Sequence, residues 1–216
     1  MHAAMSEFCR KGYDGARTAV IARRASCNIR MIYHYYGSKE GLYLAALERV
    51  YAQIRTEEAQ LDLQRMSPIE GISALVEFTF DHMAAHEEFV RLATIENIQH
   101  GRYLKKSKAV PQQTQPLIKS ISGLLHRGQL QGVFRPNVDP VQLYVSILAL
   151  SLTHLSNRYT LSITYQQDMG NPGWLAKRRE HVRQLVLSYL QADAAGPKSA
   201  ASVQAPMMLQ RSAVRG

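Results

Sequence analysis

The stretch GYDGARTAVIARRASCNIRMIYHYYGSKEGLY, residues Gly12 to Tyr43, decides the fold. Gly12 and Gly15 mark a turn at its start. Thr18 to Arg24 is spaced as a short helix, with Ile21, Ala22 and Ala25 as its apolar face. Ser26-Cys27-Asn28 interrupts that helix. Asn28 is a good N-cap for another, Ile29 to Tyr36, which Gly37 ends. Two short helices joined by a turn, with basic residues around them, fit a helix-turn-helix that reads DNA.

Working outward, helical spacing continues in both directions. Ala4, Phe8 and Cys9 predict a first helix that stops at Gly12. Ser38 caps a helix carrying Leu42, Ala45, Ala46, Val50 and Ile54. Ser67-Pro68-Ile69-Glu70 is close to a capping box and opens a helix through Leu75, Phe78 and His82. Further helices are predicted from Glu87 to Gln99 and, after a loop rich in Lys, Gln and Pro, from Pro116 to Gly132. Asp139-Pro140 starts a long apolar helix expected to reach Tyr165. The turn Asn171-Pro172-Gly173 precedes a last helix, Trp174 to Ala192. From Asp193 onward Ala, Gly, Pro, Ser and Gln follow without a period, which predicts a disordered tail. Alternating strand patterns and Asn-Gly turns are scarce, so the fold class is all-α.

Composition narrows the function. The chain has 216 residues, 46% apolar and 20% charged, enough for a packed core. No apolar run approaches the ~18–20 residues that span a bilayer. The richest, Val145 to Leu155, is broken by Ser146, Ser151, Thr153 and His154. The opening MHAAMSEFCRKGYD is polar and unlike a secretory signal. Cys9 and Cys27 cannot build a disulfide scaffold and read as packed groups in a reducing, cytoplasmic setting. The net charge is +9 and unevenly spread. Residues 1–40 hold seven basic and three acidic groups, while residues 41–100 hold four and ten. A basic head on an acidic segment suits a nucleic-acid module joined to a body with another task.

The Gly12–Tyr43 stretch, with Phe8 before it, resembles the DNA-binding head of the tetracycline-repressor (TetR) family. The resemblance rests on Phe8, Gly12-Tyr13, Ile21-Ala22, Ala25, Asn28, Ile32-Tyr33, Tyr35-Tyr36, Ser38-Lys39 and Leu42 at the family's spacing. It covers about the first fifth of the chain. Ala16-Arg17 stands where the family has a Thr pair, and Thr18 follows. Ser26-Cys27-Asn28 replaces a Gly-Val-Ser turn, so Ser26 is expected to carry strain. Tyr36 stands where Phe is usual. Met1 falls within the family's first helical turn, so part of that helix and any basic arm before it are expected to be missing.

The physical reading of the third helix agrees. Ile32 and Tyr36 are four apart and face inward, turning Ile29, Arg30, Met31, Tyr33 and His34 outward. Arg30 can bond guanine O6 and N7, and Ile29 and Met31 can touch thymine methyls. The resemblance implies phosphate contacts for Arg17, Thr18, Tyr33, Tyr35 and Lys39. Asn28 belongs to the same surface as its cap.

For the rest of the chain, the resemblance implies a two-fold dimer built by the last two helices and a ligand cavity in each body. Three parts are expected: a DNA-binding head at residues 1–45, a helical ligand-binding and dimerisation body at 46–192, and the tail at 193–216. Leu148, Leu152, Val182, Leu185, Val186 and Tyr189 are the candidates for the dimer interface. Phe78, His82, Glu96, Tyr144 and His154 are the candidates for the pocket, as polar tips or aromatics on apolar faces. His82 and His86 have metal-ligand spacing, but two imidazoles without a third ligand read as an exposed or hydrogen-bonded pair. No metal, cofactor or membrane partner is expected. Phosphate loops, nucleophile elbows and zinc cysteine sets are missing from the sequence, so no enzyme is expected. The reading is a regulator, chiefly a repressor, that binds a pseudo-palindromic operator as a homodimer and answers a small-molecule effector. The alternatives are a DNA-binding regulator without an effector, or a helical adaptor that has lost DNA binding.

Overall fold

The computed structural model describes residues 1–192, and the tail expected at 193–216 lies outside them. Among the described residues the chain forms ten α-helices, with short 3-10 turns at Ala59–Leu61 and Leu104–Lys106: α1 (His2–Gly15), α2 (Thr18–Arg24), α3 (Ile29–Tyr36), α4 (Lys39–Glu58), α5 (Pro68–Ala85), α6 (Glu87–Ile98), α7 (Ala109–Leu130), α8 (Pro140–Ser156), α9 (Arg158–Thr164) and α10 (Pro172–Leu190). Among these residues an isolated bridge between Phe134 and Gln191 is the one β contact.

Local chemistry places the starts. Asn28 Oδ1 accepts from the Arg30 N–H at 2.9 Å, and Ser38 Oγ from Gly41 at 3.0 Å. Ser67 and Glu70 complete a reciprocal capping box at α5. Asp139 Oδ1 accepts from Gln142 at 2.7 Å, with Pro140 at the first helical position. Asn171 caps α10 in the same manner.

The first helix is interrupted at Gly12 as expected: α1 spans His2–Gly15, but Gly12 has φ +65 and ψ −178, non-helical values that separate two helical pieces. Two predicted elements differ. α7 begins at Ala109, seven residues before Pro116, because Ser107 Oγ caps the Val110 N–H at 3.2 Å. Pro116 is thus inside the helix, where burial of Leu117, Ile121, Leu124 and Leu125 outweighs its missing N–H. The helix expected to run from Asp139 to Tyr165 splits at Asn157. Asn157 leaves the helical region at φ −110 and ψ 18, and its Nδ2 donates to the Thr153 carbonyl at 3.0 Å alongside its own N–H at 3.1 Å.

Two apolar cores result. One joins the head to α4 and α6, with Phe8, Tyr43, Leu47, Ile54, Leu92 and Tyr103 almost wholly buried. Tyr43 meets Phe8, Tyr13 and Tyr103 with ring centroids 4.9–5.3 Å apart. The second core lies between α5, α7, α8 and α10 around Ile72, Leu75, Phe80, Ile121, Ile147 and Val182. Packing therefore continues across residue 45, and α4 belongs to both head and body. At the α7 corner Gly128 lets the chain close, since a Cβ there would stand 2.1 Å from the Phe134 ring.

Candidate nucleic-acid interface

The head is stapled by a charge that the sequence reading did not single out. Glu7 is buried on the inner face of α1. Its Oε2 accepts from Arg10 at 2.8 Å and from Arg24 at 2.9 Å, which ties α2 to α1. Arg10, then Arg24, hold this carboxyl below the usual range despite its burial. Its signal was available: a glutamate on an apolar helical stripe with arginine three residues on.

Between α2 and α3 the turn takes the expected form. Ser26 has φ +50, the left-handed region that the missing glycine would have occupied freely. Cys27 is half-buried against the core. α3 turns Ile32 inward, and Tyr36 packs beside it. Ile29 also packs partly on this core, so it is less available to a groove than the sequence spacing implied. Arg30, Met31, Tyr33, His34 and Tyr35 lie on the outer face, with Met31 47% and Tyr35 70% exposed. Exposed apolar and aromatic side chains on one short helix are costly unless a partner covers them.

The flanking groups adjoin this face. Thr18 Oγ1 and the Tyr33 hydroxyl are 3.1 Å apart, linking the start of α2 to the middle of α3. Arg17 is exposed at the N-cap of α2. Lys39 Nζ donates to the Asp14 carbonyl at 3.3 Å and sits 4.7 Å over the Tyr13 ring. It is anchored beside the face rather than waving in solvent. Gly41 fixes how α3 passes into α4, because a Cβ there would lie 2.0 Å from the Tyr36 carbonyl oxygen. The surface is chemically apt for DNA: guanidiniums for guanine edges and phosphates, a thioether for thymine methyls, hydroxyls for phosphates.

In the body, the five residues expected to line a pocket each have their own immediate partners. Phe78 and His82 lie together on α5, with ring centroids 5.6 Å apart. Glu96 is buried elsewhere: its Oε1 accepts from the Tyr103 and Leu104 N–H groups at 2.7 and 2.8 Å. That oxygen caps a turn, while Glu96 Oε2 is buried without a hydrogen-bond partner. Tyr144 is buried against Arg55, whose Nη2 donates to its hydroxyl at 2.5 Å, and against Glu58. His154 stacks on Phe80 at 5.0 Å, and neither ring nitrogen has a partner. Burial, with Arg178 nearby, pushes its pKa down to about 4.

A cavity of about 180 Å³ opens instead between α4 and α7, lined by Arg55, Glu58, Leu63, Gln113 and Leu117. Arg55 is a group the sequence reading missed. Its Nη1 is 3.2 Å from Glu58 Oε2 but misaligned, and both Nη1 and Nε lack hydrogen-bond partners. Burial raises the Glu58 pKa to about 7.

The interface candidates also divide. Val182 and Val186 are buried inside the protomer's own second core, at 0% and 3% exposure, and cannot meet a partner. Leu148 and Leu152 are half-buried against the head-side core. Leu185 and Tyr189 are exposed, and so are Val141 and Val145 on α8, which the apolar stripe of the sequence did not distinguish.

A three-helix head carrying an exposed, cation-flanked α3, on an all-α body, defines a helix-turn-helix transcription regulator. Comparison with known proteins agrees. Residues 1–46 match "Bacterial regulatory proteins, tetR family", and residues 68–186 match "Tetracyclin repressor-like, C-terminal domain". The chain belongs to the TetR family of transcription regulators. It is 33% identical over 171 residues to the HTH-type transcriptional repressor NicS of Pseudomonas putida, covering 79% of this chain and 81% of that one. It is 36% identical over 101 residues to the repressor SCO4008 of Streptomyces coelicolor, covering 46% and 48%. The fold is shared with the regulator FadR of Bacillus subtilis, solved with stearoyl-CoA. That match has a TM-score of 0.64 at 15% identity and covers 88% of this chain and 97% of that one.

Proposed function

We propose that this protein is a cytoplasmic, non-enzymatic repressor that binds a pseudo-palindromic operator as a homodimer and is released by a small effector. The observation that carries the reading is the outer face of α3, with Arg30, Met31, Tyr33, His34 and Tyr35 exposed beside Arg17 and Thr18. Arg30 and Met31 read base edges. Arg17, Thr18, Tyr33, Tyr35 and Lys39 hold phosphates. The named repressors among its relatives support the sign of regulation.

The two-fold partner packs on the outer faces of α8 and α10, where Val141, Val145, Leu185 and Tyr189 are each 44–54% exposed. The effector enters the body beside α4, in the cavity where Arg55 keeps unmatched donors. It acts by binding one spacing of the two heads better than the other.

The test is a fluorescence-anisotropy titration against DNA upstream of the protein's own gene, at two salt concentrations, with a scrambled duplex as control. Tight, sequence-dependent binding that falls steeply with salt is expected. Equal weak binding to operator and scrambled DNA, unchanged by salt, would remove the reading.

A further inference from the structure

The seam between α4 and the α5–α6 junction holds a second cluster of chemically active groups. Glu57 lies on the last turn of α4, His82 on the last turn of α5, and His86 at the residue between α5 and α6. The third ligand that the His82–His86 spacing lacked in sequence is thus supplied from another helix. His82 Nδ1 lies 2.9 Å from Glu57 Oε2, and the two imidazoles stack 4.0 Å apart. One ligand atom from each of the three residues falls within 4.8 Å of the other two.

The hydrogen bonds show what the cluster is shaped to hold. His86 Nδ1 donates to the His82 carbonyl at 3.0 Å, which leaves the ring's lone pair on Nε2. That is the outer-sphere bond that fixes tautomer and ring orientation in metal-bound histidines. The Nε2 lone pair and Glu57 Oε1 both point at one donor, the Gln53 side-chain NH₂, at 2.9 and 3.0 Å. Two acceptors converging on a single electropositive group make the place of a cation. The His82 side chain is 2% exposed and that of Glu57 36%, so the cluster is closed behind and open to water in front.

We propose that Glu57, His82 and His86 form a divalent-cation site, suited to Zn²⁺, that ties α4 to the α5–α6 junction. Two imidazoles and one carboxylate are a zinc donor set with a fourth position for water. So many nitrogens exclude Mg²⁺ and Ca²⁺, which take oxygen. The Gln53 NH₂ swings aside, and His82 moves its proton from Nδ1 to Nε2. The 2.9 Å between His82 Nδ1 and Glu57 Oε2 is close to the roughly 3.0–3.4 Å that separates neighbouring ligands on bonds of about 2.1 Å. The bound ion would join the helix that carries the head to the body.

The experiment uses the untagged full chain, stripped with chelator and dialysed. ZnCl₂ is titrated by calorimetry, CoCl₂ by visible absorption, and MgCl₂ serves as control. One Zn²⁺ per chain is expected, with a cobalt band and no magnesium heat. His86→Gln and Glu57→Gln should each weaken binding about 10-fold or more, while His126→Gln leaves it unchanged. Circular dichroism checks each fold, and half-buried His86 keeps the test available if a change at His82 unfolds the chain. Absence of stoichiometric zinc binding, or equal binding in His86→Gln and Glu57→Gln, would overturn the site.

Discussion

The head and the body of this protein spend their side chains differently. In the head, α2 and α3 are short helices packed on one side against the core that α1 shares with α4 and α6, so the outer face of α3 is left open. In the body, longer helices bury several polar groups, Glu58, His82, Glu96 and His154 among them, and these fix internal geometry before they meet any partner. A polar residue on an apolar stripe therefore means different things on different helices. On α3 it marks a surface; on α5, α6 or α8, and at Glu7 on α1, it marks a seam.

The largest effect should come from making the body fail as a dimer. Leu185→Asp combined with Val145→Asp places unpaired charges on the exposed faces of α10 and α8. Sedimentation should then show monomers, and operator affinity should fall at least about 100-fold, toward the non-specific level. Retained dimers would move the interface elsewhere.

The next effect probes the body's buried titrations. Glu58 is raised to about 7 in the folded state from an ordinary 4.5, mainly by burial. Its contribution is full below pH 4.5 and is lost as pH rises toward 7. His154 is lowered to about 4 from 6.5, so its contribution is present above pH 6.5 and is lost as pH falls toward 4. The two nearly cancel between pH 4.5 and 6.5. Glu58→Gln should leave a chain that loses roughly 2–3 kcal/mol as pH falls through that window, and His154→Phe one that gains as much. Urea midpoints at pH 5 and 6.5 measure both, and parallel profiles in the two variants would show that these two groups do not carry the opposed titrations.

In the head, Arg30→Ala should relax base preference at one position, costing about 1–3 kcal/mol on the preferred duplex and little on others. Lys39→Ala should weaken all sequences alike and lower the salt slope by about 1. Uniform loss from Arg30→Ala would exchange the two roles.

What was readable in the sequence follows the same division. α2, α3 and the starts of α4, α5, α8 and α10 are set by residues within four positions, such as Asn28, Ser38, Ser67 with Glu70, and Asp139. Caps and turns are local physics. The start of α7 was misplaced because a proline weighs heavily in local reasoning, while Ser107 and the buried face of the helix outweigh it. The outer face of α3 was readable because Ile32 and Tyr36 define its inside, although Ile29 lies nearer the core than spacing alone implied. The partners of the pocket candidates were not readable. His82 finds Glu57, Tyr144 finds Arg55 and His154 finds Phe80 across separations that only packing decides. The same limit hid Val182 and Val186, since an apolar stripe does not say whether its partner is the same chain or another.

The smallest effect sharpens the contrast at single residues in left-handed backbone. Ser26 in the head has φ +50, and Asn137 in the body has φ +61. Serine suffers a clash between its Cβ and the following carbonyl oxygen there, whereas asparagine tolerates the region better. Ser26→Gly should therefore stabilise by about 0.5–1 kcal/mol, after the extra entropy glycine gives the unfolded chain. Asn137→Gly should gain less than half of that. Urea unfolding compares the two. The head adds a second readout, because the Ser26 turn sets the angle between α2 and α3. Operator affinity within about 2-fold of the parent would mean that the turn keeps its shape, and that serine costs stability without serving recognition. Loss of affinity with gain of stability would mean that the strain at Ser26 holds α3 in its binding pose.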